Sequence, residues 1–471
     1  EPVFNLYQYT LQDVDGFQND VRTYADVVTS SFFDAGNNMF TGGANTKTLA
    51  IESAIALNLW SMIVHKLYET IKKCQENDFN SSSEGVHNID QAVAFWIGSS
   101  QQTGNEKKGH LLYRLTEEGG KHFGTDSHDN QSRANKYILR LFKEAAMQLM
   151  FQGACYNENS IMISELRFIV NKLVAQMTVP LIQHLIYNLR ENNKGRVKIY
   201  AHAVLPHIAP CNKSTFEYLK KKLIVEESYG SEVDEIIKAI QSTYSCLDLK
   251  CKDIGQLNGV PQCNEREELQ SFAGYTPATD VREYLDMDID IRYIEIMLTM
   301  KNRDAAKDIY QHGKHAIVMR DGRKEPLKLR DLAISTNRDI VPSFDKFSKY
   351  FEDTSNYADK LVMRALQDHT EGSQEQNTAL VVNALQYQVS YMAALEKIYR
   401  AIAGCESSSQ AQFVQAQEDW DIAAAYIIGS MQKKVDSPEQ NDGYLLYGLG
   451  FDLCSEFNKC KPQGLAAAID L

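Results

Sequence analysis

Two tyrosine–aspartate pairs are the groups in this sequence best suited to bind a cation. Tyr24 and Asp26 lie in the stretch TYAD, and Tyr357 and Asp359 lie in NYADK, 333 residues later. Phenolate and carboxylate oxygens are hard ligands, which a small and highly charged cation such as trivalent iron prefers to thiolates or thioethers. A tyrosine loses its proton near neutral pH only when the cation supplies the free energy, so we expect binding to weaken in acid.

Two further tyrosines are candidates to complete these metal sites. Tyr113 lies in GHLLYRL and Tyr447 lies in GYLLYGL, each directly after a pair of leucines. The alternative for each is a core or interface ring whose hydroxyl has a hydrogen-bond partner. His312 and His315, beside Tyr310 in YQHGKHA, form another candidate metal group, for which structural roles are the alternative.

The tyrosine pairs belong to an internal repeat. At an offset of 331 residues the matched pairs include Tyr68 with Tyr399, Ile71 with Ile402, Cys74 with Cys405, Asp90 with Asp421 and Gly98 with Gly429. The offset becomes 334 at Gly109 with Gly443 and at Tyr113 with Tyr447, and PVF at 2–4 corresponds to PSF at 342–344. We therefore predict a first helical repeat module at 1–124 and a second at 342–471. Between them lie a helical middle region at 125–265 and a linker with a helical lead-in at 266–341.

Hydrophobic periodicity predicts an all-α fold, in which the two related modules pack with the helical middle region. Apolar residues recur at three- and four-residue steps, whereas alternating strand patterns are scarce. Pro180 is expected to kink or end its helix near Val179. The polar segment 247–279 is the predicted linker. The predicted helices cover 45–74, 133–152, 163–192, 232–244, 293–312 and 378–405.

Composition and motifs limit the function classes. A formal net charge of −13 and a pI near 5.4 argue against nucleic-acid or anionic-membrane partners, which require a basic surface. The sequence contains no metalloprotease, nucleophile-elbow, phosphate-loop or dinucleotide motif, so we expect no enzyme. It also lacks an apolar run of about 18 residues, so we predict no membrane span.

Cysteine usage favours an oxidising compartment. Disulfides are preferred to a zinc site, because no Cys-x-x-Cys pair or Cys/His set has ligand spacing. Three glycosylation triplets, at Asn80, Asn130 and Asn212, agree with a secretory route. With an odd number of cysteines at least one stays free or pairs outside the chain, although Cys74 and Cys405 are each expected to have a partner. The nine candidates for disulfide bonding are Cys74, Cys155, Cys211, Cys246, Cys251, Cys263, Cys405, Cys454 and Cys460.

The motifs together resemble a known family. The stretches DIYQHGKHA, VPSFDKFSKYF, NYADKLVMRAL, DWDIAAAYIIGS and GYLLYGLGFDLCSEFNKC in the second copy are similar to the low-iron-inducible periplasmic, or Fe-assimilating, proteins of algae, which include the phytotransferrins. The first copy supplies YADVV, DQAVAFWIGS and GHLLYRL, and the middle region supplies VLPHIAPCN.

The resemblance implies capture of ferric iron with carbonate as a synergistic anion. It places the protein at the extracellular face of the plasma membrane or in the periplasmic space, followed by endocytic vesicles, with a membrane anchor possible outside this chain. Arg22 and Arg114 are the candidate anion-binding residues, because Arg recognises planar oxyanions in a bidentate manner. Both are replaced in the second copy, so the first module is the expected iron site. The alternative is an iron- or CO2-responsive surface or cell-wall interaction protein without tight metal binding.

Overall fold

The fold is all-α, as the periodicity predicts. The structure is a computed structural model. The contacts between residues divide the chain into two units, Glu1–Glu265 and Arg266–Leu471. The finer division into four segments stays a prediction. The structure describes residues 2–11, 24–33, 46–76, 84–102, 108–127, 131–150, 155, 161–263, 272–320, 322–335, 337–352, 354–367, 372–407, 409–432 and 442–457.

In the first unit the long helix α8 packs against α4, α7 and α9. A π-helical segment, Ala54–Leu59, joins α3 to α4. Pro180 lies inside α8 without ending it, so that part of the prediction is wrong. The helices of this unit are α1 (Pro2–Leu11), α2 (Tyr24–Ser31), α3 (Thr46–Ser53), α4 (Trp60–Gln75), α5 (Glu84–Ile97), α6 (Leu112–His122), α7 (Arg133–Met150), α8 (Ile161–Arg190), α9 (Lys194–Ile208), α10 (Lys213–Lys220), α11 (Val233–Gln241) and α12 (Cys251–Ile254).

In the second unit α20 packs along α21, and α19 packs against α14 and α18. A π-helical segment, Leu385–Ser390, joins α19 to α20, as Ala54–Leu59 joins α3 to α4; a further one, Lys221–Val225, follows α10 in the first unit. The strands β1 (Ile317–Arg320) and β2 (Arg323–Pro326) form an antiparallel hairpin. The helices of this unit are α13 (Arg282–Leu285), α14 (Met287–Thr299), α15 (Arg303–His312), α16 (Leu329–Ala333), α17 (Phe344–Tyr350), α18 (Tyr357–Ala365), α19 (Gln374–Ala384), α20 (Tyr391–Cys405), α21 (Gln410–Ile428) and α22 (Leu446–Glu456).

The repeated helices have the same local structure. Both 46–75 and 374–405 are helical throughout, and their π-helical segments, Ala54–Leu59 and Leu385–Ser390, correspond at the offset of 331 found in the sequence. A π segment is rare, because it adds a residue to one helical turn. Its occurrence at equivalent positions shows that the sequence repeat extends to the backbone of this helix.

Two predicted segments differ from the structure. The single helix expected at 293–312 is divided, because Lys301 has a positive φ of 59° and the side chain of Asn302 then caps α15 by accepting from the N–H of Ala305 at 3.0 Å. The predicted linker is also ordered at both ends. α12 packs on α8, and Asp421 accepts from the N–H of Thr279 at 2.7 Å.

Three disulfides confirm that cysteines are cross-linked, which indicates folding in an oxidising compartment. They are Cys74–Cys155, Cys211–Cys246 and Cys251–Cys263. Cys454 is also disulfide-bonded, whereas Cys460 lies outside the described residues.

The disulfide expected at Cys405 is wrong. This cysteine is free and exposed at the end of α20, whereas its equivalent Cys74 is 1% exposed and bonded to Cys155. The physical reason is that Cys155, the partner of Cys74, belongs to the unrepeated middle region, so the repeat supplies Cys405 with no equivalent partner.

Glycosylation at Asn212 stays a prediction, although little of its side chain is accessible. Its side chain is the N-cap of α10, accepting from the N–H of Thr215 at 2.8 Å, and the residue is only 7% exposed. A glycan requires an accessible side-chain amide. Asn80 and Asn130 lie outside the described residues.

One continuous helix, Thr46–Gln75, is long and apolar enough to cross a membrane by length and composition alone. Its most apolar window has a mean hydropathy of 1.3, and 56% of that window is buried within the protein. A core helix of a globular unit passes the same test, so the finding is weak evidence for a span.

Buried aspartates hold loops in the second unit. Asp288 on α14 accepts from the N–H of Met431 at 2.7 Å and from Ser430 Oγ at 2.8 Å, which fixes the chain directly after α21. Gly429 ends α21 with a φ of 78°, and a Cβ atom there would lie 2.4 Å from Asp288 Oδ2. Its repeat equivalent Gly98 has a φ of 76°, and a Cβ atom would meet the rotatable Leu111 Cδ1 at 2.9 Å.

We expect Gly429→Ala to destabilise its unit more than Gly98→Ala destabilises the other. The left-handed conformation costs an alanine about 1–2 kcal/mol at either site. Gly429→Ala additionally displaces a hydrogen-bonded carboxylate, for a total of about 3 kcal/mol. Hydrogen exchange resolved by mass spectrometry measures each unit separately, and equal losses of protection would contradict this account.

The stability of the second unit is expected to depend on Asp288 protonation. Burial raises the pKa of Asp288 to about 7, although Met431 and Ser430 donate to it. The folded unit then retains a proton that the unfolded chain has lost, so stability falls as pH rises through 7. The free energy of unfolding should be lower at pH 8 than at pH 6 by about 1.4 kcal/mol.

Chemical denaturation followed by hydrogen exchange at the two pH values measures this difference. Asp288→Asn should remove it, while Asp90→Asn, at an exposed aspartate of the first unit, should leave it unchanged. A wild-type unit that is equally stable at both pH values would show that Asp288 stays ionised.

Candidate metal centre

Tyr24 points into the first unit, and Asp26 does not. Tyr24 and Val28 on α2 are 6% and 0% exposed and lie one turn apart, whereas Asp26 is exposed. Residues two positions apart on a helix lie on nearly opposite sides. The two predicted ligands therefore do not converge on one point, and the polar contact of Asp26 is with Ser30 Oγ at 3.5 Å.

Tyr24 instead meets a histidine from α9. Its hydroxyl donates to the carbonyl oxygen of His202 at 2.8 Å and lies 3.0 Å from His202 Nδ1. Because the phenol has one proton, this geometry assigns the Nδ1–H tautomer to His202, with Nδ1 donating to the tyrosine oxygen. The phenol oxygen and the imidazole nitrogen thus lie within one hydrogen bond of each other in the interior.

A second tyrosine and a second histidine lie beside this pair. The ring of Tyr7, from α1, is centred 4.7 Å from that of Tyr24 and 5.9 Å from that of His207. Trp60 packs on His207, with ring centres 4.8 Å apart. We call Tyr7, Tyr24, His202 and His207 the tyrosine–histidine cluster.

The position of α9 follows from its own capping and ion pairing. Asn193 caps the helix by accepting from the N–H of Arg196 at 3.3 Å. Arg196 Nε and the Tyr200 hydroxyl then bond to opposite oxygens of Glu52, at 2.8 and 2.7 Å. Since Glu52 belongs to α3, these contacts hold α9, and with it His202, against the first helices of the chain.

Burial keeps Tyr7, Tyr24 and His202 electrically neutral. Desolvation raises the pKa of Tyr24 well above its ordinary value, with a smaller contribution from Tyr7, whose own pKa burial also raises. Desolvation, followed by the charge of Lys198, lowers the pKa of His202 to about 3. A cation that binds here must therefore displace the phenol protons, but it meets no imidazolium at His202 near neutral pH.

The π-helical segment Ala54–Leu59 packs against both α2 and α9, which carry Tyr24 and His202. In the second unit the equivalent segment packs against α18, which begins at Tyr357. Single π segments within α-helices occur frequently at functional sites. In both copies, therefore, this irregular turn contacts the helix with the repeated tyrosine.

In the second unit the equivalent tyrosine packs among phenylalanine rings. Tyr357 is 3% exposed and stacks on Phe351 at 4.7 Å and on Phe347 at 6.2 Å. By the alignment of PVF with PSF, Phe347 is the equivalent of Tyr7. The repeated tyrosine thus faces a tyrosine in the first unit and phenylalanines in the second.

Asp359 already has two partners. Its Oδ1 accepts from the Tyr310 hydroxyl at 3.0 Å and from Arg330 Nε at 3.1 Å, and the residue is 6% exposed. An aspartate that is bonded in this way stabilises the packing of α15, α16 and α18. A cation at Asp359 would have to compete with the guanidinium group of Arg330.

The remaining predicted ligands lie elsewhere in their units. Tyr113 begins the buried face of α6, and its hydroxyl accepts from Gln131 Nε2 at 2.7 Å. Tyr447 is half-buried on α22, where burial raises its pKa. Arg114 is half-buried on α6, while Arg22 lies outside the described residues.

The histidine group near the β hairpin has structural partners. His315 Nδ1 lies 2.8 Å from Asp290 Oδ1, and Asp290 also accepts from the N–H groups of the same loop. His312 lies 3.9 Å from Asp308. Within the described ranges, no group of three or more His, Cys, Asp or Glu side chains is placed to hold a metal ion, a test that does not count tyrosines.

Searches of known protein families, of curated proteins and of solved structures find no match to this chain. The resemblance to the algal family therefore remains a hypothesis drawn from the quoted motifs. Of the cluster, sequence reasoning identified only Tyr24. The alignment of PVF with PSF would have pointed to the Tyr7 region, and His207 lies in the stretch VLPHIAPCN.

We expect Tyr24→Phe to destabilise the first unit by about 1–3 kcal/mol, because it leaves the buried Nδ1–H of His202 and the accepting carbonyl without this hydroxyl. Tyr350→Phe, at a tyrosine that is 82% exposed, is the matched control and should change stability by less than about 0.5 kcal/mol. Thermal or denaturant unfolding measures both, and equal effects would show that the Tyr24–His202 contact contributes nothing.

Proposed function

We propose that the protein captures ferric iron at the cell surface for uptake, with carbonate as synergistic anion, and that the iron binds at the tyrosine–histidine cluster of the first unit. The observation that carries the proposal is the 3.0 Å separation of the buried Tyr24 Oη and His202 Nδ1, beside the buried ring of Tyr7. The motif resemblance and the oxidising environment indicated by the disulfides support the same function.

The geometry of the pair suits two neighbouring ligands of one ion. In an octahedral site with bonds of about 2.0–2.1 Å, adjacent ligand atoms lie about 2.9 Å apart. Tyr24 Oη and His202 Nδ1 already have this spacing, so an ion could replace the shared proton without separating them. Imidazole is an accepted iron ligand, and phenolate oxygen matches the hardness of the trivalent ion.

Access and charge define two further requirements. Tyr7 and Tyr24 are 1% and 6% exposed, so entry of iron requires α1 or α2 to move away from α9. Two phenolates and carbonate together exceed the charge of the iron, so the site also needs a cationic neighbour. Lys198, one turn before His202 and paired with Glu227, is a described cation whose charge acts on the cluster.

The alternative is a surface interaction or cell-wall protein without tight metal binding. It is favoured by the lack, within the described ranges, of a cluster of three acidic, histidine or cysteine side chains. The two functions differ in one visible property. Iron bound to phenolate gives a charge-transfer colour, and an interaction protein does not.

We expect the full chain to bind one ferric ion with a phenolate charge-transfer band when it is titrated with ferric nitrilotriacetate and bicarbonate at about pH 7.5. Tyr24→Phe should weaken the band strongly, because it removes one of the two phenolates and the oxygen that lies beside His202 Nδ1. Tyr357→Phe, at the equivalent position among phenylalanines, should retain it. Circular dichroism of each variant shows whether the fold is intact, and His202→Gln provides a second test that keeps both tyrosines.

Iron affinity should fall by about 100-fold for each tyrosine proton when the pH is lowered from 7.5 to 5.5. His202 contributes little to this dependence, because its pKa of about 3 keeps it neutral throughout. A colourless complex, or a band that Tyr24→Phe retains and Tyr357→Phe loses, would exclude the proposed site. Binding that is independent of bicarbonate would exclude the carbonate part alone.

A further inference from the structure

Helix α20 carries an apolar stripe with the spacing of a coiled-coil seam. Its members follow one another at steps of four, three, four and three residues, which places them on one side of the helix. Tyr387, in the preceding π-helical segment, extends the stripe by one more step of four. We call the α20 stripe the set Tyr391, Leu395, Ile398, Ile402 and Cys405.

The α20 stripe is partly open to solvent. Tyr387, Tyr391 and Ile402 are 39%, 36% and 43% exposed, Leu395 and Ile398 are half-buried, and Cys405 is exposed. On the adjacent helix α21, Trp420 is 51% exposed. A row of exposed and half-exposed large apolar side chains with this regularity is characteristic of an interaction face rather than of scattered surface residues.

In the first unit the same positions are fully covered. At the offset of 331 the equivalents of the stripe are 0–3% exposed, and they are Trp60, Val64, Leu67, Ile71 and Cys74. Helix α8 packs on this side of α4, and Trp60 Nε1 donates to the carbonyl oxygen of Met177 at 3.2 Å. Cys74 is joined to Cys155, which precedes α8. In the first unit, therefore, this side of α4 is covered by an apolar helix, and its cysteine is bonded to another cysteine.

Among the residues that the structure describes, the equivalent side of α20 has no such covering helix and no bonded cysteine. The Cys405 thiol is free. A second molecule of this chain offers both: another α20 stripe and another Cys405. When two such helices pair in parallel and in register, equivalent seam positions face each other across a two-fold axis. Facing seam positions are separated by about the 5.5–6 Å between Cα atoms that a disulfide requires.

We propose that the α20 stripe is a homodimer interface, closed by a disulfide between the Cys405 residues of two copies. Isologous pairing buries the tyrosine and isoleucine side chains that are exposed in one copy. The odd number of cysteines and the exposed thiol agree with a bond outside the chain. The proposal is independent of iron binding.

The disulfide forms by exchange with a small-molecule disulfide of the oxidising compartment. The thiolate of one Cys405 attacks that disulfide, gives a mixed disulfide and releases one small thiol. The thiolate of the second Cys405 then attacks the Cys405 sulfur of the mixed disulfide and releases the second small thiol. Two protein thiols are oxidised, and one external disulfide is reduced to two thiols.

The test is the mass of the full chain in solution. Light scattering after size exclusion should give the mass of a dimer. Non-reducing gels should show that the dimer is covalent, and peptide mapping should identify a Cys405–Cys405 cross-link. Cys405→Ser should abolish only the covalent bond and leave a reversible dimer by analytical ultracentrifugation. Ile402→Glu should weaken that dimer by about tenfold or more, since it places a charge in the seam.

Val225→Glu is the control, because Val225 is an apolar residue that is 60% exposed in the first unit; it should leave the dimer unchanged. A monomeric chain in which Cys405 is alkylated without prior reduction would overturn the proposal. So would a dimer linked through another cysteine, or Cys405 bonded to a different protein, which would identify another occupant of the face.

Discussion

The contact between α2 and α9 is the interaction on which this account of the first unit depends. Tyr24 reaches His202 across 178 positions of sequence, and its phenol, the imidazole and the backbone carbonyl share their hydrogen bonds in a site from which water is excluded. A buried phenol and a buried imidazole are expensive to leave unpaired, so each fixes the other. The same pairing brings a hard oxygen and an imidazole nitrogen to the separation of two metal ligands.

The two copies of the repeat share one helix, 46–75 in the first and 374–405 in the second, but differ in the residues that surround it. The π-helical turn is retained at equivalent positions, but Tyr7 corresponds to Phe347, and the exposed Asp90 corresponds to Asp421, whose buried carboxylate holds the segment around Thr279. Such differences follow from packing. The first copy places its tyrosine against α9, whereas the second stacks Tyr357 on phenylalanines and uses its aspartates to bind loops.

The sequence predicted the all-α class, six helical segments and the repetition of 46–75 at 374–405, because amphipathic spacing is a local property, but it did not predict helices such as α1, α9 and α21. It could not show the division of 293–312, which depends on the left-handed conformation of Lys301, a residue without a turn preference. It paired Tyr24 with Asp26 because they are neighbours in the chain, although helix geometry separates them. His202 carries no local signal, since its role is set by a contact between distant helices. Cys405 was expected to follow Cys74, but a disulfide depends on what covers the helix.

Iron K-edge X-ray absorption of the iron-loaded full chain tests the central claim most directly, because it reports the atoms bound to the metal. The account predicts a shell of oxygen with nitrogen, with the outer-shell scattering of an imidazole that disappears in His202→Gln while the oxygen ligands remain. A ferric ion bound only by oxygen in the wild-type protein, with no imidazole contribution, would contradict the assignment of iron to the tyrosine–histidine cluster.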